Sequence, residues 1–130
     1  VGTSTILRGG TANHNSGTLV WNNWTVNAGA TTLTGNLDVN GVLTITGTLS
    51  AGSNTINAAG NWTKTGTFTQ ATSTVIFDGT TTLSGNTTFN HLTIAASSTL
   101  SAGATTTSLK GNFTNNGTFN RDTSTVVFNG

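Results

Sequence analysis

The chain has no cysteine, proline, methionine, tyrosine or glutamate among its 130 residues. Without cysteine, disulfides are not its staple and composition says nothing of the redox compartment. Four basic and three acidic residues supply neither a basic face for nucleic acid nor a polybasic membrane anchor. No apolar run approaches the ~20 residues of a membrane span, and none resembles a signal peptide. The chain opens on Val1, which is expected of a processed chain or a piece of a longer one. What remains is about a quarter threonine, with Gly, Asn, Ser and Ala making up most of the rest. Such polarity could suggest disorder. Disordered chains, however, are rich in Pro, Glu and Lys, whereas six Phe, three Trp and regularly spaced Val, Ile and Leu point to a thin, continuous core.

Residues 48–79 recur at 99–130, 51 positions on and without a gap. Thr48–Gly52 (TLSAG) returns at Thr99–Gly103, and Gly60-Asn61-Trp62-Thr63 returns as Gly111-Asn112-Phe113-Thr114. Thr72-Ser73-Thr74-Val75-Ile76-Phe77-Asp78-Gly79 returns as Thr123-Ser124-Thr125-Val126-Val127-Phe128-Asn129-Gly130. A second match, Trp21–Val26 against Phe89–Ile94, lies 68 positions apart. Self-copying at fixed spacing marks a stack of similar units.

Within the units, apolar residues alternate with polar ones: Leu37, Val39, then Leu43 and Ile45, later Val75 and Phe77. This is strand periodicity with one buried face, and no helical period competes. Both long offsets are multiples of 17, and a 19-residue step also gives a clean apolar column. The expectation is an all-β, single-domain (1–130) parallel β-helix, right-handed, with coils of about 17–19 residues averaging 17. Gly-Asn, Asn-Gly and Ala-Gly pairs would turn its corners. The alternative is an antiparallel β-sandwich. Since the last residues repeat an interior segment, the terminal strands should present open edges, met by more of the same chain or by another protomer.

The patterns GN(W/F)T, GTF and TSTV(I/V)F(D/N)G, with FNHLTI and TLSAG, resemble the Thr/Gly/Asn-rich β-solenoid repeats of large bacterial surface and adhesin-type proteins. The resemblance implies secretion and a role in cell-surface attachment or an extracellular fibre. It carries no functional residue with it.

Catalysis by a β-helix needs clustered carboxylates, and Asp38, Asp78 and Asp122 fall in separate columns at the 17-residue step. Corner duty suits them better. His14 and His91 are far apart with no carboxylate or Ser column beside either, so neither an enzyme nor a cofactor is expected. Three Asp cannot supply a stacked oxygen cage for a metal. Trp24 and Trp62 are in core phase, while Trp21 is a candidate exposed aromatic for glycan stacking. Asn-x-Thr sequons at Asn23, Asn61, Asn86, Asn112 and Asn116 arise by composition. The most pointed pattern is a Thr-x-Thr column: Thr46 and Thr48, Thr63 and Thr65, Thr80 and Thr82, then Ser97 and Thr99. On one face these would form a hydroxyl lattice like that of ice-binding solenoids. Outward strand positions also fill with Thr by propensity alone.

The expected function is a non-enzymatic structural module of a secreted cell-surface or fibre protein. Its expected partner is itself, end to end, or continuation of the same chain. Ice binding is the alternative and a glycan-binding surface the third. Neither nucleic acid nor membrane insertion is expected.

Overall fold

The computed structural model describes residues 5–8, 12–14 and 19–130, with side chains from Val20 onward. The chain winds as a parallel β-solenoid of about 6 turns, with no helix among the described residues. Each turn contributes three short strands. The first holds β1 (Thr5–Arg8), β2 (Ala12–His14) and β3 (Leu19–Trp21); the second β4 (Asn23–Val26), β5 (Ala30–Leu33) and β6 (Leu37–Val39). Then come β7 (Leu43–Ile45), β8 (Thr48–Ser50) and β9 (Thr55–Ala58), and β10 (Trp62–Lys64), β11 (Thr67–Thr69) and β12 (Thr74–Phe77). The fifth turn has β13 (Thr80–Ser84), β14 (Thr87–Phe89) and β15 (His91–Ile94). The sixth has β16 (Thr99–Ser101), β17 (Thr106–Leu109) and β18 (Phe113–Asn115), followed by β19 (Thr118–Asn120) and β20 (Thr125–Phe128).

Every third strand pairs, always in parallel. One sheet runs β1-β4-β7-β10-β13-β16-β19 and another β3-β6-β9-β12-β15-β18; the remaining face divides into β2-β5-β8-β11 and β14-β17-β20. The strands form because Thr, Val, Ile and Phe suit a pleated surface and their alternation sends one set inward. Trp24, Val26, Leu43, Ile45, Leu49, Ile56, Phe77, Phe89, Ile94 and Leu100 are fully buried in one core. Trp62 packs edge-to-face on Phe68, Phe77 and Phe89, with ring centroids 5.0, 6.0 and 5.4 Å away. A single turn buries too little to stand alone, so stability comes from neighbouring turns.

The ladder corrects the expected period. Most pairings step by 19 residues, as in Thr48↔Thr67 and Thr80↔Thr99, and only β12 to β15 steps by 17 (Thr74↔His91). The 51-residue copy therefore does not stack on its original. It is displaced by eight strands, β12 to β20, which is two turns and two faces. The unit that repeats is the strand with its corner, and three strands close a turn, so copies rotate around the axis. Val75 and Leu92 do stack in register, whereas Val126 stacks on Thr107 of the other face.

Corners follow their sequences. Four-residue corners at Ala51–Asn54, Gln70–Ser73 and Arg121–Ser124 close when the fourth amide donates to the first carbonyl, at 3.2, 2.9 and 3.0 Å. Their second residues, Gly52, Ala71 and Asp122, take positive φ of 63°, 45° and 53°. At Gly66 a side chain would run into the carbonyls of Thr46 and Gly47 in the turn below, so only glycine allows that corner to stack.

At β13 the cross-section shifts. Its last residues, Leu83 and Ser84, pair with Trp62 and Thr63, while Thr80–Thr82 pair with β16. The Thr81 hydroxyl donates to the Gly60 carbonyl at 3.0 Å across this joint. Lys64 ends the inward column Val26–Ile45–Lys64, and its Nζ reaches out to the Gly66 carbonyl at 3.1 Å.

Candidate functional site

The outward positions of the strands carry the surface chemistry, and register decides what they form. The seven threonines read as one column fall on several faces. Thr48 is on β8, stacked on Thr67, and Thr63 is on β10, stacked on Thr44. Thr46 and Thr65 are exposed corner residues, and the Thr46 hydroxyl already donates to the Val26 carbonyl at 2.9 Å. Thr80, Thr82 and Thr99 lie together, with Thr63 on the neighbouring strand of the same sheet, beside Ser84.

Those three belong to an array that the 17-residue step did not reveal. On β13-β16-β19, Thr80, Thr99 and Thr118 form one column and Thr82, Ser101 and Asn120 the next. Between the columns Thr81 and Leu100 point inward and are buried. Rows stand ~4.8 Å apart and columns ~6.5–7 Å apart. Asn120 Nδ2 donates to Ser101 Oγ at 3.3 Å within the array. A second array on β5-β8-β11 reads Ala30-Thr48-Thr67 beside Thr32-Ser50-Thr69. The signal for both was the 19-residue step, which the multiples of 17 masked.

The asparagines do something composition alone did not suggest. Asn23, Asn36, Asn61 and Asn86 each turn a side-chain Oδ1 to accept a backbone N–H of the next turn. The donors are Val42 (2.7 Å), Thr55 (2.9 Å), Thr82 (3.0 Å) and Thr106 (2.8 Å). At corners the backbone carbonyl leaves the ladder, and the amide side chain takes its place. His91 Nδ1 accepts from the Asn112 amide at 3.0 Å in the same manner, and Asp122 Oδ2 accepts in the opposite sense, from the Gly103 amide of the preceding turn at 2.9 Å. Three of the sequon asparagines, Asn23, Asn61 and Asn86, are thus engaged as clamps. The Gly-Asn pairs preceding strands (Gly35-Asn36, Gly60-Asn61, Gly85-Asn86) were the available signal.

Asp38 and Asp78 lie closer than their columns suggested. The carboxyl of Asp78 is held above the usual carboxylate range, first by burial and then by the charge of Asp38, with a backbone hydrogen bond opposing both. They share the face of β6, β9 and β12, where Asp38 stacks on Asn57 and Asn57 on Ile76. No pocket opens among the described residues. Trp21 is half-buried rather than an open platform, because β3 sends it into the inward column above Val39 and against the core. The side chain of His14 lies outside the described residues.

Comparison of the chain with protein-family models, with curated proteins and with solved structures finds no match.

Proposed function

We propose that the chain is a non-enzymatic structural module of a secreted cell-surface or extracellular fibre protein, acting as a rigid spacer or adhesive stalk. The observation that carries this reading is the six-strand parallel ladder from β3 to β18, unbroken over one continuous core. Load along the axis passes through packed turns, and corner asparagines tie the second, fourth and fifth turns to the ones that follow. The sheath is hydroxyl-rich and nearly uncharged, which keeps it hydrated without reliance on ionic strength. Its resemblance to bacterial adhesin-type repeats supports the same setting.

Dyes on Thr32→Cys and Thr118→Cys test rigidity by single-molecule energy transfer. A single narrow distribution, unchanged between ~0.01 and ~1 M salt, is expected, because charge screening has little to act on. A broad or salt-dependent distribution would contradict the spacer reading.

The second reading is ice binding through Thr80, Thr82, Thr99, Ser101, Thr118 and Asn120, favoured by the two-column array. A thermal hysteresis assay decides it, with Thr99→Tyr placed at the array's centre. Hysteresis that the bulky ring abolishes supports the reading, and no hysteresis in the parent chain ends it.

A further inference from the structure

The interior shows what covers the copied segment. Strands β10, β11 and β12 match β18, β19 and β20 residue for residue in extent, so Trp62, Phe68 and Phe77 correspond to Phe113, Phe119 and Phe128. In the interior Phe89 of β14 completes an aromatic cluster over these three, with centroids 5.4, 6.1 and 5.9 Å away. In the last turn Phe113 stands 5.9 Å from Phe119 and 6.1 Å from Phe128, and among the described residues no fourth ring joins them. Phe77 is fully buried while Phe128 is 66% exposed.

The chain also contains a second version of the covering coil. The 68-residue match places β3 and β4 on β14 and β15 strand for strand, with Trp21 at the position of Phe89. In the interior, β15 lies on β12 with Thr74↔His91 and Phe77↔Ile94. At the other end of the solenoid, β4 lies on β1 with Thr5↔Asn23 and Arg8↔Val26. Strand β1 belongs to Thr3-Ser4-Thr5-Ile6-Leu7-Arg8-Gly9-Gly10, a third version of the Thr72–Gly79 and Thr123–Gly130 motif. All three versions are therefore cognate to the same kind of strand. Two are covered by it, in matching register. In β1, however, Arg8 takes the register place that Phe77 holds in β12, beneath an inward column headed by the fully buried Val26.

We propose that two copies of this chain join head to tail by strand exchange. Strand β20 of one copy displaces β1 of the second and pairs with its β4. The register is that of the interior joint: Thr125 beside Asn23, Val126 beside Trp24, Val127 beside Thr25 and Phe128 beside Val26. Strands β2 and β3 of the second copy then settle on β18 and β19, and its Trp21 closes the ring cluster that Phe113, Phe119 and Phe128 leave open. The exchange is favourable because an apolar TVVF strand replaces TILR under an apolar column. It is heterologous and so propagates along the axis. The proposal deepens the self-stacking expected of the structural module and rests on that reading.

The test uses two full-length single-cysteine chains, Val127→Cys and Thr25→Cys, mixed under mild oxidation; the parent has no cysteine to interfere. The mixed disulfide should form in excess over either homodimer. Phe128→Asp should cut its yield ~tenfold or more, through lost burial of the ring. Arg8→Phe, which makes β1 a better occupant of its own site, should cut it too. Assembly seen by light scattering without an excess of mixed disulfide would overturn strand exchange and leave stacked rods standing. Strictly monomeric chains at high concentration would overturn both modes of association, while the energy-transfer width still reads the spacer function separately.

Discussion

The same words are written twice in this molecule and mean different things. At 60–79 they build the middle of the core; at 111–130 they build an edge. Phe77 and Phe128 share a motif, and one is fully buried while the other is 66% exposed. Trp62 is fully buried, and its counterpart Phe113 is half-buried. Local sequence sets the strand, the corner and the inward phase in both copies alike. Burial comes from what lies above, which for the first copy is the coil Thr80–Ile94. In a solenoid, stability belongs to the interface between turns rather than to the turn.

The sharpest way to break that comparison is to truncate the paired phenylalanines. Phe77→Ala should cost about 3–5 kcal/mol in denaturant unfolding, as a fully buried aromatic does, and Phe128→Ala under about 1 kcal/mol. Equal costs would mean that the copies are equivalent. The clamps come next. Asn61→Ala removes the acceptor for the Thr82 amide and should cost about 1–2 kcal/mol. Asn112→Ala, whose side chain finds no such donor among the described residues, should stay within about 0.5 kcal/mol. A smaller gain is expected from Ala71→Gly, which relieves a left-handed alanine at φ 45° and should add about 0.5–1 kcal/mol.

The smallest effect concerns charge, and the second copy has already made the substitution. Asp78 stands where Asn129 does. Its carboxyl is raised by burial and by Asp38, so the folded state holds that proton more firmly than the unfolded chain. The associated stability is fully present below the ordinary aspartate range and is lost as pH rises through the raised value. Asp78→Asn should therefore raise the melting temperature slightly at pH 7 and flatten the gain in stability that the parent shows as pH falls through the raised value. A lower melting temperature for the variant at pH 7 would show that the carboxylate is stabilising instead.

Much of this was legible in the residues. Alternation of Leu37, Val39, Leu43 and Ile45 gave the strands and their inward phase, and the long copies announced stacking. The period was not legible, for a geometric reason. Fifty-one is three times 17, but it is also eight strands of a three-sided coil, and only pairing distinguishes the two. The hydroxyl array moved with that error: Thr80, Thr82 and Thr99 stayed together, while Thr46 and Thr65 went to corners, Thr48 to another face, and Thr63 to the neighbouring strand of the same sheet, beside Ser84. The nearness of Asp38 and Asp78 escaped for the same reason. The asparagine clamps were hidden differently. A Gly-Asn pair reads locally as a turn, and nothing local says that its amide serves the next turn 19–21 residues away.

Amide hydrogen exchange resolved by NMR tests the central account most directly, by comparing β12 with β20 in one sample. The same four-residue pattern should exchange at the slow, global-unfolding limit at Val75–Phe77 and orders of magnitude faster at Val126–Phe128 in the dilute monomer. Equal protection of the two strands would contradict the claim that a neighbouring turn, rather than the segment's own sequence, makes the core.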